Sequence, residues 1–188
     1  MLQNEVLKNI EYRRAVFQAN YTDQEVTREE LLTILEAANA APTHKRTQPW
    51  RFVIFRNEGL IRLGDELARI YKSVTPDEKY TEATEQNMAK KATQSKAALA
   101  IIVDYSGDLP EWEELAATAC AVENMWLAAA SIGIGGYWAT PGLINHIGPF
   151  LNLKENQRCI GFFYMGHHES EPREPVRGPI EDKIRWEE

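Results

Sequence analysis

Four short stretches of this chain carry residue types that could do chemistry. Arg13-Arg14 sets two guanidinium forks side by side, and such forks match the oxygens of phosphate or carboxylate. Pro42-Thr43-His44-Lys45, followed by Gln48-Pro49-Trp50, gathers an imidazole, an ammonium and an amide between two prolines. Gly135-Gly136-Tyr137-Trp138-Ala139-Thr140-Pro141 joins a glycine pair to an aromatic run, and Arg177 stands in a proline-rich tail. Each stretch also has a purely structural reading. These are dipole compensation at a helix end, a rigid loop whose histidine satisfies backbone groups, close packing at glycine, and surface charge.

Other signatures lead nowhere. Gly133-Ile134-Gly135-Gly136 is glycine-rich, but it follows a long helical stretch and precedes a strand-like one. A dinucleotide fingerprint needs the reverse order, with a helix N-terminus facing the pyrophosphate, so these glycines read as a helix stop with close packing. His167-His168 lies on a strand-like segment, where adjacent side chains point to opposite faces and cannot share an ion. No metal site is expected. No GxSxG elbow occurs, so a serine nucleophile has no support either.

Bulk properties narrow the class. The 188 residues suffice for one ordinary domain, and 44% hydrophobic with 26% charged residues is a globular composition. Twenty-one basic against 28 acidic residues give a net charge of −7, which argues against a nucleic-acid partner. Cys120 and Cys159 form neither a disulfide framework nor a zinc motif and suit a reducing, cytoplasmic setting. No apolar run approaches the roughly 20 residues of a membrane span, and Met1-Leu2-Gln3-Asn4-Glu5 lacks a secretory signal pattern.

The elements that must position the four stretches follow from periodicity and breakers. Helices are expected over 4–14, about 28–40 (capped by Thr27 with Glu30 three residues on), 60–71, from 79 onward, and 111–131. Pro42 stops the second helix and Gly133 the last. Strands are expected at 51–56 (a buried one, through Phe52, Val53, Ile54 and Phe55), 97–103, 137–138 and 158–165, with a helical turn at 143–151 and an extended tail from Glu169. Residues 97–103 are apolar at every position, as a strand buried on both faces would be. The alanine-rich 111–131 helix reads as core or dimer seam. The order mixes helix and strand without βαβ alternation.

Taken together and in order, these pieces resemble the nitroreductase family. The resemblance is carried by Arg13-Arg14, by Ala41-Pro42-Thr43-His44-Lys45-x-x-Gln48-Pro49-Trp50, by Gly135-Gly136-Tyr137-Trp138, by Gly161-Phe162-Phe163-Tyr164-Met165-Gly166, and by Arg177-Gly178-Pro179-Ile180-Glu181-Asp182. It spans nearly the whole chain, and the loop is most similar to that of the small YdjA-like members.

The resemblance implies an α+β fold with a central, mainly antiparallel sheet surrounded by helices, in an intertwined homodimer. It implies FMN bound between subunits, with NAD(P)H as co-substrate and a nitroaromatic, quinone or similar flat acceptor. Arg13, Arg14 and Ala15 would hold the phosphate and ribityl chain, and Arg177 would close on the phosphate from the tail. His44, Lys45 and Gln48 would come from the other subunit, and Trp138, Ala139 and Thr140 would line the isoalloxazine. The flavin carries the chemistry, so no catalytic side chain is implied. Residues 128–133 match a nicotinamide-contacting region of relatives, with buried helix as the other reading. Residues 71–92, with Tyr71, Tyr80 and Met88, would cover the pocket, with a solvated helix pair as the other reading. Two positions depart from the family pattern: Ala15 replaces a serine and Phe17 a basic residue, and both changes weaken a phosphate clamp. The same resemblance leaves open a flavin-based dehydrogenase or dehalogenase, and a non-catalytic flavin-binding protein.

Overall fold

A computed structural model describes residues 4–171 and 174–188. Helices α1 (Glu5–Tyr12) and α2 (Arg28–Asn39) precede strand β1 (Trp50–Phe55), and α3 (Glu58–Val74) and α4 (Glu82–Thr93) form a hairpin before β2 (Ala97–Asp104). The 21-residue α5 (Glu111–Ser131) then leads into β3 (Ile134–Ala139) and β4 (Gln157–His167). The four strands make one sheet in the order β1-β2-β4-β3, every neighbouring pair antiparallel. The α+β fold read from the sequence is the fold observed.

Strand β2 is apolar from Ala97 to Val103 because both faces of the sheet are covered. Leu99 and Ile101 meet α2 and α5 through Ile34, Ala38, Ala121 and Met125. Ala98, Ala100 and Ile102 turn to the other face, against Leu63, Leu67 and Ile70 of α3 and the 143–151 segment. Successive strand residues point to opposite faces, so one run of sequence serves two cores. Pairing with β4 sets Ala98 beside Tyr164 and Ala100 beside Phe162, small against large, which lets both aromatics bury completely. Each such ring contributes on the order of 1.5–3 kcal/mol by leaving water.

Helix α2 begins where its cap requires. The Thr27 hydroxyl accepts the Glu30 N–H at 3.2 Å, and Glu30 Oε2 accepts the Thr27 N–H at 2.8 Å. Helix α5 has the expected bounds, and Gly133, at φ +77°, follows its last turn. Other boundaries move. Helix α4 starts at Glu82 because Thr81 caps it, accepting the Thr84 N–H. Strand β1 is an edge strand with Ile54 exposed, not a fully buried one. Only Ile144–His146 is helical in the 143–151 stretch, as a single tight turn.

Some apolar surface is left uncovered. Helix α1 buries no side chain, and Val6, Leu7 and Ile10 are exposed. On α5 the outer face exposes Trp112 and Leu115. Residues 174–188 are exposed throughout, Val176, Ile180 and Trp186 among them.

Candidate functional site

The arginine pair is fixed by two glycines. Arg13 ends α1 and turns the chain into extended conformation, so that Ala15 forms a parallel bridge with Gly136 and the Val16 N–H donates to Gly136 O at 3.1 Å. The approach leaves no space for a side chain at Gly135, and strand β4 leaves none at Gly136. A Cβ at Gly135 would lie 2.6 Å from Val16 Cβ, and one at Gly136 would lie 2.5 Å from the Phe163 ring. The glycine pair is therefore the dock for the segment carrying Arg13 and Arg14.

The guanidinium of Arg13 lies over the Trp126 ring, 4.2 Å from its centroid, and its Nε is 3.4 Å from Glu123 Oε1 without hydrogen-bond alignment. Arg14 Nη1 donates to the carbonyls of Glu11 and Arg13. A cavity of about 200 Å³ opens here, lined by Arg13, Arg14, Ala15, Trp126, Gly135 and His168 among others. Beside it a wider cleft of about 710 Å³ is bounded by Tyr12, Arg13, Arg14 and Arg177. Three sequence-predicted cations from opposite ends of the chain thus share one cleft. Glu11, Glu171 and Glu174 also line it, so anion selection there must come from guanidinium geometry rather than net charge.

Two donors at this place suit an anionic group. Arg13 Nε and Trp126 Nε1 are buried and make no hydrogen bond among the described residues, an arrangement that is costly unless a ligand or water supplies acceptors. A phosphate ester supplies such acceptors. The departures from the family pattern also have visible consequences. Ala15 contributes backbone to the bridge, and Phe17 packs on Tyr137 with ring centroids 4.7 Å apart where a cation was expected.

The His44 loop forms a second constellation. Lys45, Arg46 and Gln48 all adopt positive φ, at 49°, 58° and 45°, a conformation that costs non-glycine residues energy and persists only when held. It is held from several sides: the Thr43 hydroxyl accepts the Gln48 N–H at 3.1 Å, and Arg51 Nη1 donates to Gln48 O at 2.7 Å. The Trp50 indole N–H donates to Asn39 Oδ1 at 3.1 Å. His44 Nδ1 lies 2.6 Å from Glu113 Oε2 in the first turn of α5.

These two constellations do not meet within one chain. Glu113 and Trp126 stand 13 residues apart on α5, which is about 20 Å at ~1.5 Å per residue. Trp138 and Ala139 close β3 and Thr140 follows it, the Trp138 ring packing into the α5-side core with its N–H given to Ile160 O at 3.2 Å. What Trp138 offers a ligand is backbone and ring edge, since its indole donor is spent. Gly161, at φ +151°, has no space for a Cβ beneath that ring.

Two further stretches singled out in the sequence have visible partners within the chain. Tyr71 and Tyr80 lie 5.9 Å apart, and the Tyr71 hydroxyl accepts the Thr81 N–H, tying the α3–α4 connection together. The hydrogen bond to Glu85 pushes the Tyr80 phenol up to about 12. Met88 packs against the α3-side core, and neither tyrosine lines the arginine cavities. His167 Nε2 lies 3.2 Å from Glu30 Oε1, whereas His168 lines the small cavity from the other side of the strand. Burial works against ionised Glu30, but the Thr27 N–H, the Thr27 hydroxyl and His167 outweigh it and hold the carboxyl below its usual range.

Glu113, Glu123 and Trp126 escaped the sequence reading. Glu123 and Trp126, three apart on one helix, were a legible anion–aromatic seat for a guanidinium. Nothing local connects Glu113 to His44, 69 residues away.

The geometry has counterparts among known proteins. YdjA of Escherichia coli strain K12, a candidate NAD(P)H nitroreductase, is 30% identical over 146 residues, covering 74% of this chain and 76% of its own. The crystal structure of a nitroreductase-like family protein from Bacillus cereus superposes with a TM-score of 0.85 at 24% identity, covering 100% of this chain and 98% of that one. A candidate nitroreductase from Desulfovibrio desulfuricans, crystallised in complex with FMN, matches with a TM-score of 0.74 at 25% identity over 99% and 98% of the two chains. Residues 10–167, from the last turns of α1 to the end of β4, match the nitroreductase family as a whole, and the chain is a member of that family.

Proposed function

We propose that the protein is an FMN-dependent NAD(P)H oxidoreductase, built as one flavin-binding domain of 188 residues that works as a homodimer. The observation that carries this reading is the shared cleft of Arg13, Arg14 and Arg177, arginines from opposite ends of the chain around a space of about 710 Å³. Bound there, FMN would supply two-electron chemistry, accepting hydride from NAD(P)H and passing it to a nitroaromatic, quinone or similar flat acceptor. The side chains do the holding. Arg14 and Arg177 take the phosphate oxygens, Arg13 is stiffened by Trp126 and Glu123, and Ala15 offers backbone. Trp138, Ala139 and Thr140 form a wall for the ring system.

His44, Lys45 and Gln48 reach the same flavin from the partner subunit. Two features support a shared site. The two constellations lie at opposite ends of α5, and a two-fold axis crossing α5 near Ala119 and Cys120 would set each His44 loop beside the partner's Arg13 segment. The uncovered apolar residues of α1, α5 and the tail are the surface such a dimer needs. Among the described residues, no helix is long and apolar enough to cross a membrane. Two unpaired cysteines fit a reducing, cytoplasmic location.

The test is optical. Protein supplied with FMN turns yellow, and anaerobic NADH or NADPH bleaches it. A colourless protein that neither binds FMN nor quenches its fluorescence contradicts the reading; bound flavin that neither donor bleaches contradicts the oxidoreductase part alone.

A further inference from the structure

We propose that Glu113 is the positioning residue of His44, fixing the imidazole so that its free nitrogen is presented to the flavin. The proposal rests on the flavin reading above and adds to it a residue from an element that carries none of the four motifs. A carboxylate can only accept, so at 2.6 Å it is His44 Nδ1–H that donates to Glu113 Oε2. That places the proton on Nδ1 and leaves Nε2, at the far edge of the ring, with no partner among the described residues. Neither residue needs the pair for burial. The His44 side chain is 58% exposed and Glu113 24%, so the contact contributes little to the core.

Three features make the pair an aiming device rather than a surface ion pair. Glu113 belongs to the first turn of the long α5, a rigid mount compared with a loop. The backbone that bears His44 is independently constrained, with Lys45, Arg46 and Gln48 at positive φ and Gln48 tied to Thr43. Fixing the ring as well leaves one nitrogen pointing one way, which is the form in which imidazole acts as a directed ligand contact. An unheld exposed histidine would have to be ordered at each binding event.

A double-mutant cycle with FMN as the probe tests this, following quenching of flavin fluorescence by wild type, E113A, E113Q, H44A and E113A/H44A. E113A weakens FMN binding about ten-fold, as loss of an orienting partner does. E113Q, whose amide carbonyl still accepts the Nδ1 proton, stays within about three-fold. In the H44A background E113A changes affinity less than about two-fold, because the residue it positions is gone. Unchanged affinity in E113A, or an equal loss in both backgrounds, overturns the proposal. A second readout needs no flavin: nitrogen-15 spectra of the imidazoles, with His44 assigned by its absence in H44A, show the proton on Nδ1. A His44 lacking that proton overturns the proposal too. If wild type itself binds no FMN, the flavin reading fails, and the tautomer still decides whether Glu113 fixes the ring.

Discussion

Substituting Gly135 by alanine should separate the docking of the arginine segment from general stability. The new Cβ would fall 2.6 Å from Val16 Cβ and 2.5 Å from His168 Cδ2, both well inside van der Waals contact. Val16 is buried and its N–H is bonded to Gly136 O, so it cannot retreat without breaking the bridge that carries Ala15. Overpacking of this kind costs about 1–3 kcal/mol. For a chain of this size that lowers Tm by roughly 2–12 °C, at ~2–4 °C per kcal/mol. Because the displaced segment holds Arg13 and Arg14, FMN affinity should fall along with Tm. Gly133→Ala is the control. Gly133 has positive φ but open space around it, so alanine there costs about 1 kcal/mol in backbone strain and leaves FMN affinity intact. Calorimetry and flavin-fluorescence titration of both variants decide the matter. A Gly135→Ala protein that melts with wild type and binds FMN equally well would refute the docking role of the glycine pair.

Three further outcomes follow. Arg177→Ala should weaken FMN binding ten- to a hundred-fold, since hydrogen bonds to a charged group contribute about 1.5–3 kcal/mol, while riboflavin, which lacks the phosphate, binds both proteins alike. Equal losses for FMN and riboflavin would remove Arg177 from the phosphate. Because the Glu30 carboxyl is held below its usual range when folded, its contribution is complete above the unfolded carboxylate value of about 4.3 and fades as pH falls through the folded value. The stability gap between wild type and Glu30→Gln should therefore narrow from pH 6 to pH 3 in denaturant melts, and a gap that widens would contradict the assignment. Burial, partly offset by hydrogen bonds involving Gly161 and Ile101, pushes the Cys159 thiol up to about 11, so an aromatic disulfide reagent at pH 8 should leave it unmodified until the protein is unfolded.

Much of the fold was legible because the local signals agreed with the packing. Thr27 and Glu30 form the expected capping box, residues 97–103 lie in the fully buried strand, and α5 begins and ends where predicted. Misplaced features were those decided from outside the segment. Phe52, Val53, Ile54 and Phe55 are apolar enough for a central strand, yet topology leaves β1 at the edge. Tyr137-Trp138 looked like a two-residue strand because glycines disfavour strands, but Gly135 and Gly136 are in β3 because neighbours press on both. At the site, the sequence supplied Arg13, Arg14 and Arg177 but not that they share a cleft with three glutamates. It supplied His44 but not Glu113, because a helix residue 69 positions away leaves no periodic or spacing signal.

The shared flavin site can be tested most directly by native mass spectrometry of the protein reconstituted with FMN. A dimer carrying two FMN molecules, with FMN lost whenever the dimer is diluted into monomers, is the expected result. A monomer that keeps one FMN would contradict it, because the His44 loop and the Arg13 segment of one chain lie at opposite ends of α5.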